Sequence, residues 1–210
     1  LQVVPDPTLD VSQYLFHHPG VDFIWTTGGP KAVAAANAAG KPCLSVGAGN
    51  APVYVHRSAD IGMAAVDMLI SKTFDASVIC PAEQTLVVDE AVHDDLVAEL
   101  VRMGARLLSA AEVDKLSAVS FEADGRMRIE ALGQSCPALA AMAGIRLDAD
   151  TKVLLAPLPA DLPALGDHPL VREKLMPVLG IVRSPSVEHA LGACALVTEH
   201  GGLGHTSAVY

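Results

Sequence analysis

The chain has 210 residues, 51% of them apolar and few aromatic, and a net charge of −10. This length fits one large domain or parts of two, and the apolar content argues against disorder. The acidic balance argues against a general nucleic-acid or anionic-membrane surface. Gly, Pro or a charge also interrupts each apolar run before it reaches membrane-spanning length.

In chain order, "LQVVPDP" predicts a strand and a turn, and "TLDVSQYLFHH" a short helix closed by Pro19-Gly20. "VDFIWTT" reads as a buried strand, "GGP" as a turn, "KAVAAANAAG" as a helix stopped at Gly40, and "PCLSV" as the next strand. This alternation is that of βαβ units in a parallel sheet, so the fold class is α/β. The glycines of "VGAGNAP" break the rhythm, and "PVYVH" is a brief strand. Asp60 is placed to cap a helix from Ile61 to about Lys72, with Ile61, Ala64, Ala65, Met68 and Leu69 on one face. "TLVVD" is a strand, and a second helix is expected from about Glu90 to Leu108. Short helices and turns should fill residues 109–150, followed by the strand "KVLLAPL". The Pro-rich run "PLPADLPALGDHPLVREKLMP" reads as an ordered loop. "VLGIVR" is a strand, "SVEHALGACALVTEH" a helix and "HTSAVY" a closing strand. The Gly-rich break around 47–52 divides the chain into residues 1–51 and 52–210. Its two ends both fall inside expected strands, so the sequence reads as a fragment of a longer chain.

Four cysteines, Cys43, Cys80, Cys136 and Cys194, form no C-x-x-C pair and no metal-ligand spacing, and no H-E-x-x-H is present. No metal is expected. Without a visible secretory signal, this usage fits free thiols in a reducing cytoplasm. Cys80 precedes Pro81, a residue favoured at the first helical position. A thiol at a helix start feels the positive end of the dipole, which enriches the thiolate. Cys136 also precedes Pro-Ala, so pattern alone does not choose between the two. Cys43 and Cys194 lie in apolar periodic segments and read as core.

Three further stretches carry candidate chemistry. "TTGGPKAV" sets Thr27, Gly28 and Gly29 between a strand and a helix, where free N–H groups can face a phosphate. It lacks the full G-x-G-x-x-G pattern, and pattern alone favours a plain tight turn. Glu173 in "REKLMP" can bind a ligand hydroxyl or stay solvated. His205, after the flexible "GGLG", can serve a thiol as acid, base or donor, or be structural.

Taken in order, "TTGGPKAVAAANAAGKPCLSVGAGNAPV", "ADIGMAAVDMLISKTFDASVICPAEQTLVVDE", "REKLMPVLGIVR" and "GGLGHTSAVY" resemble the CoA-acylating aldehyde dehydrogenases. The likeness is greatest to the aldehyde dehydrogenase half of the bifunctional aldehyde–alcohol dehydrogenases. It covers nearly the whole chain and is weakest from about 105 to 165. The resemblance implies part of a Rossmann-type NAD-binding domain in 1–51, followed by a catalytic thiol domain in 52–210. It makes Cys80 the nucleophile, with its main-chain N–H as one oxyanion donor, and sets His205 near the thioester. Thr27, Gly28 and Gly29 match the turn that meets the dinucleotide, and Glu173 matches the glutamate that holds the nicotinamide ribose. NAD is the implied cofactor and coenzyme A the co-substrate. The implied reaction interconverts acetaldehyde and acetyl-CoA in fermentative metabolism.

Hydrolytic aldehyde dehydrogenases carry a glutamate in "E-L-G-G-K" that activates water. The equivalent stretch here is "VGAGN", with Val46 in the glutamate's place, which favours CoA over water as acyl acceptor. The family's first half of the nucleotide domain, its asparagine oxyanion donor, the rest of its catalytic domain and its oligomerisation hairpin have no counterpart in the sequence. The chain alone is therefore expected to bind NAD poorly and turn over little. The implied partners are a small aldehyde and CoA, with no nucleic acid and no membrane, in a homo-oligomer of the full-length protein. The alternatives are a non-catalytic truncated domain and a hydrolytic aldehyde dehydrogenase.

Overall fold

Runs of β-branched residues alternate with capped, Ala-rich helical runs, and they fold as parallel strands joined by helices. The computed structural model describes residues 2–210 and separates at Ala48/Gly49 into two compact units. In the first, helix α1 (Leu9–His17) is capped by Thr8, whose hydroxyl accepts from the Val11 N–H at 3.2 Å. Strand β1 (Ile24–Thr27) leads to helix α2 (Pro30–Ala38), with proline in the first turn. Strand β2 (Cys43–Val46) then pairs parallel with β1, from Ile24 opposite Cys43 to Thr27 opposite Val46. The strand expected at the start does not form. Residues 2–4 have no hydrogen-bonded neighbour in a sheet, and a strand is stable only as part of one.

The second unit opens with strand β3 (Ala51–Val55) and helix α3 (Ile61–Thr73), capped as expected by Asp60 through the Met63 N–H at 3.0 Å. Strand β4 (Glu83–Asp89), helix α4 (Glu90–Arg102) and strand β5 (Ala105–Leu107) follow. Next come α5 (Ala110–Ser120) and α6 (Cys136–Ala143), then β6 (Val153–Pro157) and the six-residue α7 (Leu162–Asp167). Strand β7 (Val178–Ser184), helix α8 (Val187–Glu199) and the short β8 (Ala208–Val209) complete the unit. The six strands form one parallel sheet in the order β5-β6-β7-β4-β3-β8.

Two expectations about element bounds are corrected. The second helix stops at Arg102 instead of continuing to Leu108, because Gly104 at φ +110 turns the chain and residues 105–107 pair with β6. The Pro-rich run contains α7 and a 3₁₀ turn at Pro169–Val171, rather than loop alone.

Both faces of the sheet are covered, so the middles of its central strands are apolar on both sides. Val53, Leu86, Leu155 and Leu179 pack with Ala65, Met68 and Leu96 from α3 and α4 on one face. Tyr54, Val87, Leu154 and Val182 pack with Leu116, Leu139 and Ala193 from α5, α6 and α8 on the other. Each fully buried large side chain stabilises by about 1.5–3 kcal/mol relative to exposure.

Two lysines interrupt this apolar interior, and neither Lys72 nor Lys174 has any solvent exposure. Lys72 Nζ donates to the Lys174 carbonyl at 3.1 Å and to Gln84 Oε1 at 3.3 Å. Lys174 Nζ donates to the carbonyls of Leu170 at 2.8 Å and Arg172 at 2.9 Å. Burial pushes Lys72 down to about 7, against attraction from Glu83 and Glu173, and pushes Lys174 down in the same sense. The unfolded chain holds the Lys72 proton up to about pH 10.4, so between pH 7 and 10 it binds more protons than the folded state. Stability from this group therefore rises with pH across that window, with a slope approaching about 1.4 kcal/mol per pH unit. Urea unfolding from pH 7 to 10 should show a smaller rise, or a steeper fall, for Lys72→Met than for the parent. Equal pH dependence in the two proteins would contradict the buried-ammonium assignment.

Candidate active site

The strand register decides which loops meet. Because β7, β4, β3 and β8 are neighbours and parallel, the segments that enter them emerge along one edge of the sheet. Glu173 lies in the segment before β7, Cys80 before β4, Gly49 before β3 and His205 before β8. Three of the candidate residues thus come from distant points in the chain to adjacent positions.

Gly49 is the centre of this group. Its N–H donates to Glu173 Oε1 at 3.2 Å. A Cβ built on it would fall 2.2 Å from the carbonyl oxygen of Cys80 and 3.3 Å from Cε1 of His205. Only glycine allows the Cys80 main chain to approach so closely. Gly202, at φ +88, packs in turn onto Gly49–Asn50, since a Cβ there would lie 2.6 Å from the Asn50 N–H nitrogen. The buried Asn50 carboxamide donates to the carbonyls of Val171 at 2.9 Å and Val197 at 2.7 Å. It thereby ties the start of β3 to the Glu173 segment and to the end of α8, just before the His205 loop. A cavity of about 220 Å3 opens there, lined by Thr198, Gly202, Gly204, His205, Thr206 and Ser207. The larger depression, about 490 Å3, lies at the β5 end of the sheet among Arg102, Arg106, Asp148 and Lys152, and no thiol or imidazole lines it.

Cys80 does not begin a helix, which corrects the expectation from Pro81. Cys80 and Pro81 form a turn, closed by the Ala82 N–H to the Ile79 carbonyl at 3.2 Å, and β4 follows directly. Proline's fixed φ suits such a turn as well as a helix start. The dipole argument therefore does not apply to this thiol. The approach is also distinctive: Asp75, Ala76 and Ser77 turn the chain out of α3 with successive φ of 48, 50 and 65. Each such left-handed residue costs about 1–2 kcal/mol. Cys80 is half-buried, and among the described residues its N–H donates to no other group, so the main-chain donor is free.

The cysteine that does stand at a helix start is Cys136, in α6 with Ser135 as cap. It is buried, its thiol donates to the Lys152 carbonyl at 3.1 Å, and burial pushes its pKa up to about 12. Burial likewise pushes Cys194 up to about 11. Desolvation thus outweighs the dipole at Cys136 and leaves it a closed thiol.

Glu173 is half-buried. Burial raises its carboxyl, while the Gly49 N–H and then the ammoniums of Lys72 and Lys174 lower it. Its carboxylate keeps one oxygen that makes no hydrogen bond within the described residues. The His205 N–H closes a turn onto the Gly202 carbonyl at 2.8 Å, and its ring Nδ1 is buried without a partner among the described residues.

Thr27, Gly28 and Gly29 belong to the first unit. Thr27 is exposed at the end of β1, and the Gly28 N–H donates to the Val46 carbonyl at 3.1 Å, so this bend is pinned to β2. Gly29 caps α2, and a Cβ built on it meets nothing within 4 Å. The open space there suits close approach of a ligand to the helix start. Sequence reasoning missed Gly49, Asn50, Lys72 and Gln84. Of these, only the Gly-Asn pair inside the glycine-rich break gave a visible signal.

The sequence profile of the aldehyde dehydrogenase family matches residues 1–118. The aldehyde-alcohol dehydrogenase of Clostridium acetobutylicum is 36% identical over 208 residues, which are 99% of this chain and 23% of that protein. The CoA-propanoylating propanal dehydrogenase of Salmonella typhimurium is also 36% identical over 208 residues, covering 99% of this chain and 43% of that protein. The crystal structure of an acetylating aldehyde dehydrogenase from Geobacillus thermoglucosidasius superposes with a TM-score of 0.89 at 37% identity, over 97% of this chain and 44% of that one. The chain thus spans less than half the length of the curated relatives it matches. With an edge of the sheet built around a half-buried thiol, and similarity that runs along its whole length, the chain belongs to the aldehyde dehydrogenase family.

Proposed function

We propose that this chain carries the thiol centre of an NAD-dependent, CoA-acylating aldehyde dehydrogenase acting on acetaldehyde. The observation that carries this reading is the meeting of Cys80, His205 and Glu173 around Gly49, while Cys136 and Cys194 are closed off by burial. The Cys80 sulfur attacks the aldehyde carbonyl carbon, and the new S–C bond pushes the carbonyl electrons onto oxygen. The free N–H of Cys80 is suited to receive that oxyanion. Bound NAD would supply the hydride acceptor that turns this adduct into a thioester on Cys80, and Glu173 is the residue suited to hold its ribose. The CoA thiol then loses its proton to solvent, adds to the thioester carbon and expels Cys80 as thiolate, a good leaving group, which regenerates the enzyme.

The residues present fit the nucleotide. Within the first unit Gly29 leaves an open helix start. Within the second, one Glu173 oxygen makes no hydrogen bond among the described residues and can accept from a ribose hydroxyl. On this reading 1–51 is the end of a nucleotide-binding domain and 52–210 the thiol domain. By resemblance Val46 replaces the water-activating glutamate, and an alkyl side chain cannot act as a base, which favours CoA as acyl acceptor. The name of the Salmonella protein, CoA-propanoylating, supports the same acceptor. Among the described residues no helix is long and apolar enough to cross a membrane. We read the protein as cytoplasmic, which its four free cysteines support, and as a homo-oligomer working on small molecules.

Iodoacetamide at neutral pH, read by peptide mass spectrometry, should label Cys80 at least about tenfold faster than Cys136 and Cys194. Equal rates would remove the nucleophile assignment. In the product of the complete reading frame, acetaldehyde and NAD should yield NADH and acetyl-CoA only with CoA present. Acid formation without CoA would instead identify a hydrolytic enzyme. Gly49→Ala drives a methyl group into the Cys80 carbonyl, so kcat/KM should fall on the order of 100-fold in the same assay. Activity equal to the parent would show that Gly49 does not hold the site.

A further inference from the structure

Glu173 sits between two main-chain sites gripped by buried lysines. From α3, Lys72 Nζ reaches the Lys174 carbonyl at 3.1 Å and Gln84 Oε1 at 3.3 Å. The Lys174 N–H donates to that same Gln84 oxygen at 2.8 Å. Lys174 Nζ folds back to the carbonyls of Leu170 and Arg172. The main chain is therefore held immediately before and immediately after Glu173. Among the described residues the side chain between these anchors has one hydrogen-bond partner, the Gly49 N–H beside Cys80.

Gln84 is unusual for its place in the strand. Ala51 pairs with Glu83 and Pro52 with Thr85, so Gln84 has no opposite residue on β3. Pro52 has no N–H to offer the ladder, and the register slips there. Gln84 is fully buried, and its carboxamide oxygen faces both the Lys72 ammonium and the Lys174 N–H. The bracket thus links the strand that follows Cys80 to the segment that carries Glu173. A buried ammonium is a costly way to hold a loop that an apolar side chain could pack against. The carbonyl that the Lys72 ammonium holds belongs to Lys174, the residue directly after the half-buried Glu173.

We propose that Lys72, acting through Gln84 and the Lys174 carbonyl, is a positioning residue that sets the Glu173 carboxylate against Gly49 beside Cys80. The inference rests on the reading above, in which Glu173 holds the nicotinamide ribose. Without Lys72 the Lys174 carbonyl loses its donor, the segment relaxes, and the carboxylate leaves the geometry in which it meets the ribose. The consequence falls on nucleotide binding rather than on the thiol.

The test is a double-mutant cycle in the product of the complete reading frame, with NAD varied at saturating aldehyde and CoA. Lys72→Met should raise KM for NAD about tenfold while the iodoacetamide rate at Cys80 stays at the parent value. Glu173→Ala should raise KM at least as much, and the double variant should be no worse than Glu173→Ala alone. Multiplying effects, or a slowed Cys80 alkylation in Lys72→Met, would show a general structural role and overturn the proposal. If Lys72→Met fails to melt cooperatively, Gln84→Met takes its place in the cycle. Loss of the fold in both would mean that the bracket serves the core rather than the carboxylate, which also overturns it. A parent without CoA-acylating activity, or a Glu173→Ala variant with the parental KM, defeats the functional reading and this inference together. An active parent with a sensitive Glu173 and an independent Lys72 defeats the inference alone.

Discussion

Parallel pairing of β7, β4, β3 and β8 brings four entry segments side by side at one edge of the sheet. Everything else in the candidate site depends on this pairing. In open parallel sheets ligands commonly sit outside the carboxyl ends of the strands. Here Glu173, Cys80, Gly49 and His205 all precede their strands, so they gather at the opposite edge. A one-residue slip of β4 against β3 would send alternate apolar side chains to the wrong face and also displace Cys80 from Gly49. The apolar core on both faces resists such a slip. The packing that stabilises the unit therefore also fixes the spacing of the site.

The two cysteine-proline pairs show how burial decides chemistry. By local sequence they are nearly equal, and Cys136 alone has the helix start that favours a thiolate. Yet its sulfur is buried and spends its proton on the Lys152 carbonyl, which holds it as a thiol. Cys80 has no helix behind it but keeps partial access to solvent and a free N–H. A dipole contributes at most a couple of kcal/mol at a favourable terminus. Removing a thiolate from water costs more than that when nothing charged faces it. Access, not the dipole, separates the two.

Much of the fold was legible because each strand is a short apolar run and most helices carry their own caps. Asp60 announced α3, and glycine marked the turn at Gly40. The failures have physical causes. Met103 and Leu107 continue the helical period of α4 past the point where Gly104 ends it. Proline, which serves both turns and helix starts, misplaced Cys80 in a helix and hid α7. The candidate residues were reached through motif resemblance, and their grouping at the edge follows only from strand order. Lys72 and Gln84 escaped altogether, because a lysine in a helix is normally read as solvated. Nothing in the spacing of residues 72, 84 and 174 shows that they converge.

The site is built largely from main-chain groups, and this explains its reliance on glycine. The Gly49 N–H grips Glu173, its bare α-carbon admits the Cys80 carbonyl, and Gly202 lies against the next peptide. Main-chain donors are held by the sheet and by Asn50, so they need no side-chain ordering to reach their geometry. Such a centre tolerates different residues around it as long as the chain can approach itself closely. The constraint then moves from the reactive side chains to the positions that must have none, and to the buried polar groups that hold those positions together. Gly49, Gly202, Asn50 and the Lys72–Gln84 bracket are those positions here. They tie the sheet edge to the segment that carries the proposed thiol centre, Cys80.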